Sequence, residues 1–102
     1  MTVRIRPLAR RDLKRHFRYI HQFNPDAAWS FRDAALATFK QISRHPALGH
    51  QMGFRRVAGV RSLVIADYPN YVVFWREHPG HVEIVRILHG MQNLPRFFRR
   101  KH

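Results

Sequence analysis

The stretch from Tyr71 to Gly90 constrains the fold more than any other part of this chain. It reads YVVFWREHPGHVEIVRILHG, which is two apolar runs separated by His78-Pro79-Gly80-His81. Branched and aromatic residues favour strands, and Pro-Gly between two such runs is typical of a turn. The sequence therefore predicts a β-hairpin. Its second arm is apolar at consecutive positions, which predicts an internal strand that is covered on both faces.

The first twenty-odd residues predict a strand followed by a basic helix. Thr2 to Arg6 alternates between apolar and polar residues, as a half-buried strand does, and Pro7 then opens a helix that runs to about Gln22. Spacings of four, four and three define one apolar helical stripe, formed by Ala9, Leu13, Phe17 and Ile20. We expect this stripe to pack on a sheet. The arginines on the other sides of the helix are left without an assigned role.

Residues 24–26 predict the start of a second helix. Asn24 is a good N-cap, Pro25 suits the first helical position, and Asp26 complements the helix dipole. The helix is expected to end near Arg44, before Pro46. Because the link between the two helices is so short, we expect them to pair antiparallel.

The remaining segments complete an α+β fold. Ala47 to Gly59 is predicted to be a surface loop, Arg61 to Tyr68 a strand, and Pro69-Asn70 the turn into the hairpin. Residues 91–102 are compatible with a short helix or an ordered tail. The order β-αα-βββ predicts a single domain over residues 1–102, with a helical hairpin on one face of a small antiparallel sheet. The N-terminal strand is expected to join that sheet at an edge.

Composition excludes several classes of protein. There is no cysteine, so disulfides and thiolate metal sites are ruled out, as expected of a reducing compartment. No apolar run approaches the roughly 20 residues of a membrane span, and the basic N-terminus has no apolar segment of a secretory signal. We therefore expect a cytoplasmic protein that binds no membrane and needs no cofactor.

The net charge of +13, from 19 basic and 6 acidic residues, predicts an anionic partner. Solvated faces and a bias toward arginine could produce the same total. We favour a nucleic-acid or acidic-protein partner, although charge alone does not distinguish DNA, RNA and an acidic polypeptide.

Catalytic signatures are sparse. The 8 histidines match no known metal-site spacing, so no metal is predicted. Paired carboxylates, a nucleophilic serine and a phosphate-binding loop are also missing. What remains is Arg61, Arg86 and His89, which could cut an RNA phosphodiester with His89 as acid or base and the arginines steadying the phosphate charge. A structural role for His89, bonding the backbone at the strand end, is the favoured alternative.

Taken in order, the motifs of this chain resemble the RelE/ParE family of toxins from type II toxin–antitoxin modules. The matching segments cover nearly the whole chain; they are Tyr19 to Ala28 (YI-x-x-x-NP-x-AA), His45-Pro46 with Gly49, Gly59-x-Arg61, Tyr68-Pro69-x-Tyr71 and Ile84 to Gly90. The resemblance implies the same helical hairpin on a small sheet. The NP-x-AA helix start and the R-x-LHG ending are closer to the ParE side.

The two branches of this family imply different targets. ParE-like toxins inhibit DNA gyrase without known catalytic residues, whereas RelE-like toxins cleave mRNA in the ribosome. A RelE-like site usually has basic residues on the middle strands and a late tyrosine. In this chain Leu63 to Trp75 carries no Lys or Arg, and Phe97 and Phe98 stand where the tyrosine is expected. We therefore expect a gyrase inhibitor, with a ribosome-dependent endoribonuclease using Arg61, Arg86 and His89 as the alternative.

Either branch implies growth inhibition and a protein partner, and the family has a role in plasmid stabilisation. A cognate antitoxin with an acidic C-terminal segment would neutralise the toxin in a hetero-oligomer, and a net charge of +13 suits such a segment. The partner-binding residues that we expect are Leu13, Phe17, Arg55, Arg56, Phe97 and Phe98. A third hypothesis, from another class, is a basic nucleic-acid-binding module with no toxicity.

Overall fold

The structure, a computed structural model, describes residues 1–51 and 59–90. Within them the chain forms two helices and five strands. In chain order these are β1 (Thr2–Ile5), α1 (Pro7–Phe23), α2 (Pro25–Arg44), β2 (His50–Gln51), β3 (Val60–Ile65), β4 (Tyr68–His78) and β5 (His81–His89). The α+β class and the helical hairpin packed on a sheet are confirmed. Residues 52–58 and 91–102, and with them the predicted tail, lie outside the described residues.

The strands form one mixed sheet in the order β1-β5-β4-β3-β2. The pairs β2–β3, β3–β4 and β4–β5 are antiparallel. Strand β1 lies at the edge, as expected, but pairs parallel with β5. The prediction of an antiparallel sheet was therefore wrong for β1. The connection from β1 to β5 includes both helices, and a parallel pair needs a long connection of this kind. Strand β2, inside the predicted loop, was not foreseen because two residues carry no periodicity.

The turn between β3 and β4 lies at Ala66-Asp67, not at Pro69-Asn70. Asp67 has a positive φ of 69°, a conformation that Asp tolerates better than most residues. Pro69 lies inside β4, where the pairing register shifts from Ile65↔Tyr68 to Val64↔Val72. Because residues 69–71 have no partner on β3, the missing N–H of Pro69 leaves no ladder bond unmade.

Strand β5 lies between β1 and β4 and has apolar side chains buried on both faces. Ile84 and Ile87 belong to the core beneath the helices, whereas Val85 and Leu88 belong to a second cluster with Val72 and two other residues. The register against β4 passes from Trp75↔Ile84 to Phe74↔Arg86, so Val85 is an extra residue in a β-bulge. The bulge shifts the phase of the strand, which explains why its apolar residues do not alternate.

The helices are joined by Asn24 alone, whose side chain accepts a hydrogen bond from the Ala27 backbone N–H at 3.1 Å. Helix α2 buries the expected stripe, namely Ala28, Phe31, Ala35, Thr38, Phe39 and Ile42. Helix α1 differs from the prediction, because its most buried residues are Ala9, Asp12 and His16. Of the predicted stripe, Ala9 lies in the core and Leu13 and Ile20 pack against it. The burial of the polar residues Asp12 and His16 beside the stripe was not predicted.

Candidate functional site

Asp12 and His16 of α1 complete the hydrogen bonding of β5 where β1 ends. Strand β1 pairs with β5 only as far as Ile84. Beyond it, Asp12 Oδ2 accepts the Ile87 N–H at 3.0 Å, and His16 Nε2 lies 2.7 Å from the Ile87 carbonyl oxygen. Buried backbone groups must be paired, and beyond Ile84 no strand covers this side of β5. The two side chains, four positions apart on one helix face, take the place of a neighbouring strand there.

The protonation state of His16 follows from this contact. A carbonyl oxygen only accepts, so His16 Nε2 carries the hydrogen and donates it to Ile87. Burial of the ring lowers the pKa of His16, and the nearby charges of Arg15 and His89 lower it further. The hydrogen bond to Ile87 and the Asp12 carboxylate oppose this change without reversing it. His16 is therefore neutral near pH 7.

Arg86 is engaged by the same carboxylate. Its Nε and Nη2 donate to Asp12 Oδ2 and Oδ1 at 2.7 and 3.0 Å, and only 1% of the Asp12 side chain and 10% of the Arg86 side chain are exposed. A buried, bidentate pair of this kind fixes both side chains. Arg86 thus joins β5 to α1 through a contact with Asp12 that the sequence did not predict.

The three candidate catalytic residues do not meet at one place. Arg61 on β3 is paired with Trp75 on β4, whereas His89 on β5 is paired with Tyr71. Those two β4 positions are four residues apart, which is about 13 Å along a strand. The arrangement of Arg61, Arg86 and His89 that could steady a phosphate is therefore not assembled.

His89 instead joins a cluster with Tyr71 and His16. The Tyr71 ring centroid lies 4.7 Å from that of His89 and 5.0 Å from that of His16. Burial, and to a smaller extent the neighbouring Tyr19, raise the pKa of Tyr71, so its hydroxyl stays protonated. His89 is exposed, and a proton-transferring role would require a substrate to reach it from that side.

A groove lies between α1 and α2, with a volume of about 450 Å³. Its apolar lining combines residues from both helices and β1, namely Ile5, Leu13, Phe17, Trp29 and Leu36, and four cations line it as well: Arg10, Lys14, Arg18 and Arg32. We call this the helix groove. Leu13 and Phe17, which were predicted to bind a partner, therefore lie together in one concave site.

The aromatic residues of the helix groove are held in place but remain accessible. Trp29 packs edge-to-face on Phe17 with ring centroids 4.9 Å apart, and the Arg32 guanidinium carbon lies 5.9 Å from the Trp29 ring centroid. Trp29 is nevertheless 54% exposed. A large exposed aromatic residue in an apolar groove is typical of an interaction site.

Some predictions fall outside the part of the chain that the structure describes. Arg55 and Arg56 lie in residues 52–58, and Phe97 and Phe98 in residues 91–102, so their partner-binding role stays a prediction. Within residues 1–51 and 59–90 there is no group of three His, Cys, Asp or Glu side chains that could hold a metal ion. Neither of the two helices there is long and apolar enough to cross a membrane.

Sequence reasoning missed Asp12 and His16, although a signal was present. Asp12 is the only acidic residue of α1, among several arginines, and His16 follows one helical turn later. A lone carboxylate in a basic helix is a candidate for a buried ion pair.

Comparisons with known proteins agree with this architecture. Residues 3–94 match the family model described as ParE toxin of type II toxin-antitoxin system, parDE. The chain is 32% identical over 92 residues to Toxin RelE3 of Caulobacter vibrioides, which covers 89% of this chain and 96% of that protein. The structure of a chromosomal ParDE TA system from P. aeruginosa has the same fold, with a TM-score of 0.75, 18% identity, and coverage of 89% of this chain and 97% of that one.

Proposed function

This chain belongs to the ParE toxin family of type II toxin–antitoxin systems, and we propose that it stops growth by inhibiting DNA gyrase in the cytoplasm. A cognate antitoxin neutralises it by binding in the helix groove. The observation that carries the antitoxin part is the composition of that groove. Its apolar lining and four cations suit an amphipathic segment with apolar anchors and flanking carboxylates.

A non-catalytic mechanism is supported by the state of the candidate catalytic residues. Arg86 is held by Asp12 in a buried ion pair, and Arg61 lies at a distant position of the sheet from His89. A chain that acts by binding a target enzyme does not need such residues in one place. The description of the matched family as ParE toxin also favours this reading.

A cleavage mechanism is the second candidate, and one observation favours it. His16, Tyr71 and His89 lie side by side, with ring centroids of neighbouring members 4.7 to 5.0 Å apart. An exposed histidine beside a protonated tyrosine could supply a base and an acid for an RNA phosphodiester. The similarity of this chain to a protein named Toxin RelE3 is also compatible with this alternative.

The two mechanisms are separated by adding the purified chain to two cell-free reactions. We expect loss of DNA supercoiling by gyrase, with translation of a reporter mRNA and the mRNA itself intact. His89→Ala should inhibit gyrase as strongly as the unmodified chain. Cut mRNA with unimpaired gyrase, together with loss of cutting in His89→Ala, would replace the gyrase proposal by the cleavage mechanism.

A further inference from the structure

Helix α1 carries a second accessible surface, away from the helix groove. Arg11, Arg15, Tyr19 and Phe23 are spaced four residues apart and so form one row along the helix. All four are exposed, with 60% of the Arg15 side chain, 60% of Tyr19 and 73% of Phe23 accessible. We call these four residues the arginine–aromatic row. None of them lines the helix groove, so the row is a surface separate from the groove.

The aromatic end of the row is a pair of exposed rings that the core does not use. Tyr19 and Phe23 contact each other edge-to-face, with centroids 5.3 Å apart. Tyr19 also lies close enough to Tyr71 to influence the pKa of the Tyr71 hydroxyl, and the Tyr71 ring contacts exposed His89. The exposed surface therefore continues from α1 onto the start of β4 and the end of β5.

The basic end of the row carries positive charge that is not fully neutralised. Arg15 Nη2 donates to Asp12 Oδ1 at 3.1 Å, but the same carboxylate already holds Arg86 with two hydrogen bonds. One carboxylate thus faces two guanidinium groups. Within residues 1–51 and 59–90, no acidic side chain forms an ion pair with Arg11.

We propose that the arginine–aromatic row binds single-stranded nucleic acid, with phosphates on Arg11 and Arg15 and unstacked bases on Tyr19 and Phe23. Cations followed by exposed rings are the combination that single strands need, because every base has a face that can stack on an aromatic ring. An acidic peptide would also satisfy the arginines. It would leave the two rings on a convex helix surface without apolar partners of matching shape.

This proposal stands independently of the gyrase and antitoxin proposals, because it uses none of the residues of the helix groove. The net charge of +13 attracts any polyanion, so the test must separate stacking from general electrostatic attraction. Only stacking depends on the rings of Tyr19 and Phe23.

The test is fluorescence anisotropy of labelled 12-nucleotide RNA and DNA single strands, and of a 12-base-pair duplex, titrated with the purified full chain. The double variant Tyr19→Leu/Phe23→Leu, which keeps apolar bulk but removes both rings, should bind single strands more than tenfold more weakly. Tyr19→Phe, which keeps the ring, should bind them as the unmodified chain does. Circular dichroism verifies that each variant is folded.

Charge variants provide the matched control. Arg11→Gln should reduce the slope of log affinity against log salt concentration by about 0.7, the value for one phosphate contact on a single strand. Arg44→Gln removes the same charge from an exposed position on α2 and should change the slope by clearly less. Equal effects of the two would contradict a localised phosphate site.

Two results would overturn the proposal. One is unchanged single-strand binding by the ring-less variant, and the other is duplex binding as tight as single-strand binding in all variants. Preference for RNA or for DNA supports the proposal and identifies the ligand, and equal binding of both supports a site that accepts either single strand. If the double variant does not fold, ultraviolet crosslinking of 4-thiouridine RNA to the unmodified chain decides, because adducts must appear at Tyr19 or Phe23 and not only elsewhere.

Discussion

Asp12 is a buried carboxylate that joins α1 to β5 through several hydrogen bonds. It accepts hydrogen bonds from Arg86, Arg15 and the Ile87 backbone N–H, and it is 1% exposed. A buried carboxylate is costly unless it is paired and hydrogen-bonded, and Asp12 has three such partners. The residue therefore controls how α1 is attached to β5.

Asp12→Asn should destabilise the fold by about 3–5 kcal/mol, because buried Arg86 would lose the carboxylate that accepts two of its hydrogen bonds. Asp33→Asn is the matched control. Asp33 is an exposed α2 residue whose contact with Arg32 is 3.8 Å long, and its loss should change the free energy of unfolding by less than about 0.5 kcal/mol. Urea unfolding followed by circular dichroism measures both. Similar values for the two variants would contradict the role assigned to Asp12.

Gly49 is a second residue with a specific steric role. Its φ is 79°, and a Cβ atom built there would lie 2.2 Å from the Ser62 carbonyl oxygen and 2.8 Å from the Trp75 ring. Trp75 is itself fixed, since its Nε1 donates to the Pro46 carbonyl oxygen at 3.1 Å. The backbone before β2 can therefore approach the sheet only because this position has no side chain.

Gly80 offers a direct comparison, because its φ is 82° and nothing lies within 4 Å of a Cβ built on it. Gly80→Ala should cost about 1 kcal/mol of stability from backbone strain alone. Gly49→Ala should cost more by at least about 2 kcal/mol, because the Ser62 backbone must also move. The midpoints of denaturant unfolding test this difference. Equal losses would show that the contact with Ser62 is unimportant.

At the scale of elements, the stability of the packing between α1 and β5 depends on pH through His16. The pKa of His16 is lowered in the folded chain, mainly by burial. In the pH range between that lowered pKa and the ordinary value of 6.5, the unfolded chain binds more protons than the folded one. The stability that neutral His16 provides is thus fully present above pH 6.5 and is lost as the pH falls through the folded pKa.

His16→Gln isolates this effect from the other histidines. Glutamine can donate an amide N–H toward Ile87 but does not titrate, so the variant should lose less stability than the unmodified chain between pH 6.5 and pH 5. The measurement is the free energy of unfolding in urea at a series of pH values. A parallel pH dependence of both chains would contradict the assignment of His16 as a neutral donor.

The elements were predictable from the sequence to the extent that local patterns determine them. The Asn24-Pro25 signal located the start of α2, and the Pro79-Gly80 turn located the hairpin, because capping and turn geometry are set by a few adjacent residues. The parallel pairing of β1 and the bulge at Val85 depend on contacts between distant segments. The lone carboxylate in a basic helix marked Asp12 as a candidate for a buried ion pair, but its partner Arg86 could not be identified, since that requires knowing that α1 crosses the open edge of β5.

At the scale of the whole molecule, the described structure offers two distinct surfaces on one helix. The helix groove combines apolar residues of α1, α2 and β1 with cations, whereas the arginine–aromatic row lies outside it. A strong positive charge makes the first encounter with any anionic partner faster at low salt, but it does not select one. Selection depends on the apolar part of each surface, which is why Trp29 and the Tyr19–Phe23 pair are the most informative positions to change.

The measurement that tests the account most directly is gyrase supercoiling in the presence of the purified chain, titrated with the proposed cognate antitoxin. We expect the chain to inhibit supercoiling and stoichiometric antitoxin to restore it. A chain with Trp29→Ala and Arg32→Glu should still inhibit but require more than tenfold more antitoxin, whereas Phe23→Ala, outside the groove, should require no more than the unmodified chain. Supercoiling that is unaffected at any concentration of the folded chain would contradict the proposed function.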